Sequence, residues 1–163
     1  LSESRIVANQ SHLARGLRCN NIQVKLYVRD EPHYSGMSTR DLAKKHSEGY
    51  SFIIRGYTGR PVVIEVPARP FMQQFFADTK EELSAAIAKK VTVAMLKEGS
   101  LYGVVDEIRD YVYNMFMAWA ELGMILPRNA EYTILKKESD RSLIDSGDLL
   151  ASIDTEGHVV TTQ

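Results

Sequence analysis

A chain of 163 residues with 44% hydrophobic and 25% charged side chains has the size and composition of one ordinary globular domain, with no need of disulfide or metal staples. Its single cysteine, Cys19, excludes an intrachain disulfide and a multi-cysteine zinc site. The 20 basic and 21 acidic residues give a net charge of -1, which excludes a global electrostatic pull towards nucleic acid or anionic lipid.

No stretch approaches the ~20 consecutive apolar residues of a membrane helix, and the N-terminus carries no continuous apolar signal-peptide core. The expectation is one domain, 1–163, without a membrane partner and kept in cytoplasm-like solution. Ile6, Gln10, Leu13 and Leu17 recur at helical spacing, so residues 4–18 predict an amphipathic helix with a narrow stripe, and 1–20 read as an N-terminal helical arm. Ile22, Val24, Leu26 and Val28 then alternate with polar residues, the period of a half-buried strand. Pro32 and Gly36 punctuate the loop that follows.

Ser38 to Asp41 read as a capped helix start, Leu42, Ala43 and His46 share one face, and Gly49 stops the helix. Residues 50–57 and 61–66 are rich in β-branched and aromatic residues around Thr58, Gly59 and Arg60, which predicts a β-hairpin. After Pro67 the period changes. Met72, Phe75, Phe76, Thr79, Leu83, Ile87, Val91 and Met95 predict a helix over 70–98, roughly 40 Å long. Val104, Ile108, Val112, Met115, Phe116 and Trp119 carry a second stripe that ends at Gly123 and Pro127. The short Gly99-Ser100 connection makes the two helices an antiparallel hairpin. Residues 127–147 are polar, with a helical turn over 132–136; 149–153 is a short apolar element and 158–162 a last strand. The fold class is α/β in the α+β sense: an antiparallel sheet with a β-hairpin, packed against a long antiparallel helical hairpin.

Chemistry is not visible in the composition of any one segment. His12, His33, His46 and His158 are scattered and no HExxH occurs, so no metal site is expected. His46, beside Leu42 and Ala43, reads as a packed or hydrogen-bonded histidine. Asp106, Glu107 and Asp110 crowd one helix segment, the makings of a divalent-cation site for a nuclease, but companion ligands are missing and a solvated face explains them. No GxSxG, GxGxxG or GxxxxGK[ST] occurs, and no cofactor is expected. Arg55, Arg60 and Arg69 among Tyr50, Phe52, Tyr57 and Phe71 suit a single-stranded nucleic-acid surface, or a hairpin with arginines on its exposed face. A chain with amphipathic elements and no convergent polar site is expected to act by contact rather than turnover.

Three stretches carry a resemblance. They are Leu42-Ala43-Lys44-Lys45-His46-Ser47-Glu48-Gly49-Tyr50, then Val66-Pro67-Ala68-Arg69-Pro70-Phe71-Met72, then Leu143-Ile144-Asp145-Ser146-Gly147-Asp148-Leu149-Leu150-Ala151-Ser152-Ile153. In this order they resemble the bacteriophage tail-completion and neck proteins of the tail-component and virion-morphogenesis type, in which an alanine, histidine and glycine stretch precedes a PARPF-like element and a LIDTG-like motif. Ser146 stands where threonine is usual.

The resemblance implies a non-enzymatic virion protein. It would form a homo-oligomeric ring of six-fold symmetry at the head-proximal end of the tail or in the neck, completing the tail and joining it to the DNA-filled head. Its partners would be tail-tube and head-connector proteins, with double-stranded DNA passing through the lumen without sequence-specific contacts; its places would be the virion and, during assembly, the host cytoplasm. The structural residues of the motifs would be His46, Gly49, Pro67, Pro70, Ser146, Gly147, Leu149 and Ile153. Arg55, Arg60, Arg69, Phe71 and Asp145 would be the contacts to other subunits or partners, Arg69 serving either a local salt bridge or an intersubunit carboxylate. The alternatives are a metal-dependent nuclease and a regulatory interaction domain.

Overall fold

The computed structural model describes residues 5–8, 20–56, 59–98, 100–137 and 147–161. Its elements in order are β1 (Arg5–Ala8), β2 (Asn20–Val28), α1 (Thr39–Glu48), β3 (Tyr50–Arg55), β4 (Pro61–Val66), α2 (Phe71–Glu98), α3 (Val104–Glu121), α4 (Glu131–Lys137), α5 (Asp148–Ala151) and β5 (Ile153–Thr161). The class is α+β, with one three-stranded sheet ordered β1-β2-β5 and a separate two-stranded sheet, β3-β4. The chain divides into two compact units, one built on Val28–Gln74 and Trp119–Ile153, the other on Ser2–Tyr27, Phe75–Ala118 and Asp154–Gln163.

In the second unit the apolar stripes read from the sequence are buried. Phe75, Leu83, Ile87 and Val91 on α2, and Ile108, Val112 and Phe116 on α3, are core residues. Phe75, near the start of α2, meets Phe116, near the end of α3, edge-on at 5.2 Å between ring centroids. Lys90, well along α2, reaches Glu107, near the start of α3, at 3.2 Å. Those two pairs run in opposite senses along the helices, so α2 and α3 form the antiparallel hairpin that their short connection requires.

A sheet lies against this helical hairpin through β5. A Cβ added at Gly157 would fall 2.9 Å from Cγ of Arg109 and 2.9 Å from Cγ1 of Val105, a distance at which carbon atoms clash, so glycine is what lets the strand approach α3. In β2 the residues Ile22, Val24 and Leu26 are buried and their neighbours half-buried, the alternation that a one-sided strand demands. Lys25 of β2 and Glu156 of β5 close an ion pair at 3.6 Å.

The N-terminal helix expected over 4–18 is not formed at 5–8. Arg5 to Ala8 instead pair antiparallel with β2, Ile6 opposite Val24 and Val7 opposite Gln23. The physical reason is that Ile6 and Val7 are β-branched and lie beside an unfilled edge of β2, where ladder hydrogen bonds outweigh the weak helical stripe. The rest of that predicted helix lies outside the described residues. The last strand begins at Ile153, earlier than the expected 158, and the apolar element before it is the single helical turn α5.

In the first unit, Ser38 caps α1 by accepting the Asp41 N–H at 3.2 Å. The fully buried Thr39 accepts the Glu31 N–H at 3.0 Å and donates to the Arg29 carbonyl. Arg29 in turn donates its N–H to the Ser152 carbonyl and its guanidinium to the Ala151 carbonyl, both at 2.7 Å. The loop before α1 is thereby tied to the end of α5, whose Leu149 and Leu150 are buried.

Candidate functional site

The β3-β4 hairpin of the first unit is largely exposed. Its register sets Tyr50 opposite Val66, Phe52 opposite Ile64 and Ile54 opposite Val62 on one face, and Ser51 opposite Glu65, Ile53 opposite Val63 and Arg55 opposite Pro61 on the other. Among the described residues each strand of the hairpin bonds only to its partner. The apolar side chains are unusually uncovered for a sheet: Phe52, Ile54 and Val62 are exposed, and Ile53 and Val63 reach 69% and 59% exposure. Exposed apolar surface on this scale is one of the features by which contact sites in folded proteins are recognised. The hairpin read from the sequence forms, and it stands as a two-stranded sheet of its own.

At the turn, Gly56 donates its N–H to the Arg60 carbonyl and Gly59 donates to Gly56, each at 2.9 Å. Arg55 and Arg60 therefore flank the tip, and among the described residues neither guanidinium has a hydrogen-bond or ion-pair partner. Both are members of the expected contact set, and both are exposed.

The base of the hairpin is rooted by the first two motif stretches, which the fold brings together. Gly49 sits between α1 and β3 at φ +76°, and a Cβ there would fall 2.8 Å from the Ala68 amide nitrogen and 3.0 Å from the Val66 carbonyl. The His46 carbonyl at the end of α1 accepts the Arg69 N–H at 2.7 Å. The His46 ring meets Tyr50 edge-on at 5.6 Å, and Tyr50 stacks with Phe52 at 6.1 Å. Pro67 lies just past β4, and Pro70 accepts the Gln74 N–H at 2.9 Å, so its missing donor falls where a helix start leaves amides unpaired anyway.

Arg69 and Phe71, expected as contacts to other subunits, are interior residues. Phe71 is fully buried and Arg69 only 5% exposed. The Arg69 guanidinium donates from Nε to the Pro127 carbonyl at 2.7 Å and from Nη2 to the Arg128 carbonyl at 3.3 Å, with Asn129 Oδ1 at 3.5 Å. Burial pushes its pKa below the usual arginine value, with the charge of Tyr50 acting the other way. Sequence reasoning held open a local role and an intersubunit one; the observed role is local, and carbonyl oxygens take the place of the expected carboxylate. A planar fork with several donors suits several carbonyls at once, which a lysine does not.

The clamp on this loop was not legible in the sequence. Gln74 donates from Nε2 to the Leu126 carbonyl at 2.7 Å and accepts the Leu126 N–H at Oε1 at 3.0 Å. Beside it, Leu122, Met124 and Leu126 are exposed, Leu122 at 78%. The last turn of α3 carries no basic residue, and Glu121 closes it.

Of the third motif, Asp145 and Ser146 lie outside the described residues. Gly147, at φ +87°, precedes α5, and Leu149 and Ile153 are buried. Asp148 lies 3.9 Å from His33 Nε2, and His33 Nδ1 is 2.8 Å from the Ser35 hydroxyl.

Two of the acidic residues near the start of α3 are engaged in ion pairs, Asp106 with Arg109 at 2.9 Å and Glu107 with Lys90 at 3.2 Å. Among the described residues no group of three or more histidine, cysteine, aspartate or glutamate side chains is placed to hold a metal ion, and no helix is long and apolar enough to cross a membrane. Comparison with protein-family models, with curated proteins and with solved structures finds no match.

Proposed function

We propose that this chain is a structural protein of a bacteriophage virion, forming a ring at the head-proximal end of the tail or in the neck, where it completes the tail and joins it to the DNA-filled head. The observation that carries the reading is the uncovered β3-β4 hairpin, with exposed apolar side chains on both faces and arginines at its tip. The motif stretches resembling that family support it further, because two of them meet at the root of this hairpin through Gly49, His46, Ala68 and Arg69. An exposed apolar surface on a rigid root is suited to protein contact. In a ring, many copies of one weak contact become strong when symmetry closes. The proposed partners are further copies of the chain in a six-fold ring, tail-tube and head-connector proteins, and double-stranded DNA that passes through the lumen. The mechanism is geometric, and no residue is assigned a catalytic role.

The test is electron microscopy of lysates from a phage carrying a stop codon in this gene, with the gene supplied in trans as the control. Full heads lying apart from finished-looking tails are expected, together with detection of the protein by mass spectrometry in purified wild-type particles. Normal infectious particles from the stop-codon phage would overturn the reading. Metal-dependent cleavage of DNA by the purified protein, abolished by Asp106→Ala or Asp110→Ala, would replace it with the nuclease alternative.

A further inference from the structure

The uncovered apolar surfaces among the described residues of the first unit include two with charged residues beside them. One is the Ile53-Val63 face of the hairpin, with Arg55 on that face and Arg60 beside it at the tip. The other is the run Leu122, Met124 and Leu126 after α3, with Glu121 immediately before it and Glu131 opening α4. Both are exposed in the single chain, so neither covers the other. Their charges lean in opposite senses: Arg55 and Arg60 outnumber Glu65 on the hairpin, and Glu121 and Glu131 outnumber Arg128 on the segment. Among the described residues the positive Arg55 and Arg60 side chains and the negative Glu121 and Glu131 side chains have no hydrogen-bond or ion-pair partner. The C-terminal end of α3 adds the negative pole of a helix whose last turn has no lysine or arginine to offset it.

We infer that the Ile53-Val63 face of one copy docks against the Glu121–Glu131 segment of a second copy, a head-to-tail contact between two copies of this chain. The inference rests on the assembly reading above and names the occupant of the hairpin. Apolar burial would supply the attraction, and the arginine tip against Glu121 and Glu131 would set orientation. The receiving segment is held ready, because the Gln74 clamp on Leu126 and the Arg69 fork on Pro127 and Arg128 fix its backbone before any partner arrives. The competing geometry stacks two hairpins face to face, Arg55 of each against Glu65 of the other. That contact closes on two copies and leaves Leu122, Met124 and Leu126 uncovered. The head-to-tail contact covers the Ile53-Val63 face and the Leu122–Leu126 run at once and propagates into a ring when its rotation closes.

The test uses the full chain in sedimentation velocity over a concentration series, with circular dichroism to establish that each variant is folded. The wild type is expected to associate. Arg55→Glu with Arg60→Glu, and separately Glu121→Arg with Glu131→Arg, are each expected to weaken association at least tenfold, and the four changes together to restore it. Glu65→Arg is expected to leave it unchanged. In a Cys19→Ser background, Ile53→Cys combined with Met124→Cys is expected to give a disulfide-linked ladder beyond dimer on oxidation.

Loss of association on Glu65→Arg, with the Glu121 and Glu131 reversals silent, would overturn the contact in favour of face-to-face pairing. Failure of the four-fold variant to recover, or a wild-type chain that stays monomeric throughout, would overturn it outright. A monomeric chain that is still found in particles and still needed to join heads to tails would sink this contact and leave the virion reading standing. Association by this contact in a protein absent from particles would do the reverse.

Discussion

Gln74 and Leu126 are joined in both directions, the side-chain amide of one donating to and accepting from the backbone of the other at 2.7 and 3.0 Å. The pair spans 52 residues of sequence and pins the loop after α3 to the first turns of α2. Gln74→Leu keeps the size and removes both bonds, leaving the Leu126 N–H and carbonyl to find water. A loss of about 1–3 kcal/mol of unfolding free energy is expected, read from urea denaturation followed by Trp119 fluorescence.

Arg69 holds the same loop at Pro127 and Arg128. Arg69→Lys retains the charge but offers no planar fork, and is expected to cost about 1–3 kcal/mol. Arg69→Met removes every donor and is expected to cost more than the lysine variant. The ranking is checked by urea midpoints at constant slope; equal midpoints for the two variants would show that charge rather than the fork matters.

Gly49 and Gly36 both lie in the left-handed region, at φ +76° and +81°, but only Gly49 faces backbone at close range, Gly36 having nothing within 4 Å. Gly36→Ala is expected to cost about 1–2 kcal/mol from conformation alone. Gly49→Ala adds a clash with Ala68 and Val66, and its cost is expected to exceed that of Gly36→Ala by at least about 1 kcal/mol. Thermal denaturation of both variants measures the difference.

The Phe75-Phe116 contact lies in the core of the second unit, where both rings are fully buried. Phe116→Ala is expected to cost about 3–5 kcal/mol through lost burial and the cavity left behind. Leu96→Ala, on the exposed side of α2, is expected to stay within about 0.5 kcal/mol. Comparable losses in chemical denaturation would contradict this assignment of core and surface.

Ile53 and Val63 are uncovered in the single chain, so replacing both with threonine keeps β-branching and removes little packing. Stability is expected to move by no more than about 0.5 kcal/mol, while binding of a hydrophobic dye such as ANS should fall clearly. A large drop in melting temperature would mean that these side chains support the fold rather than face a partner.

Local pattern determined much of this protein. The capped start at Ser38, the stop at Gly49, the alternation of β2, the hairpin over 50–66 and the paired stripes of α2 and α3 follow from periodicity and turn chemistry, which depend on neighbours in sequence. The exposed arginines at the hairpin tip were legible for the same reason: Arg55 and Arg60 flank a turn.

The tertiary structure decided what such patterns leave open. Ile6 and Val7 became a strand because an edge of β2 stood beside them, and the hairpin became a separate sheet because a β-rich sequence does not specify which strands it will join. Arg69 went inside because the carbonyls of residues 127 and 128 converge on it from 58 and 59 positions away, and Gln74 met Leu126 in the same way. Hydrogen-bond partners at such separations are chosen by the path of the backbone, which no local period encodes. The sequence by itself determined most of the elements and their apolar faces; which faces were buried against the chain's own core, and which were left uncovered, was decided only when those elements came together.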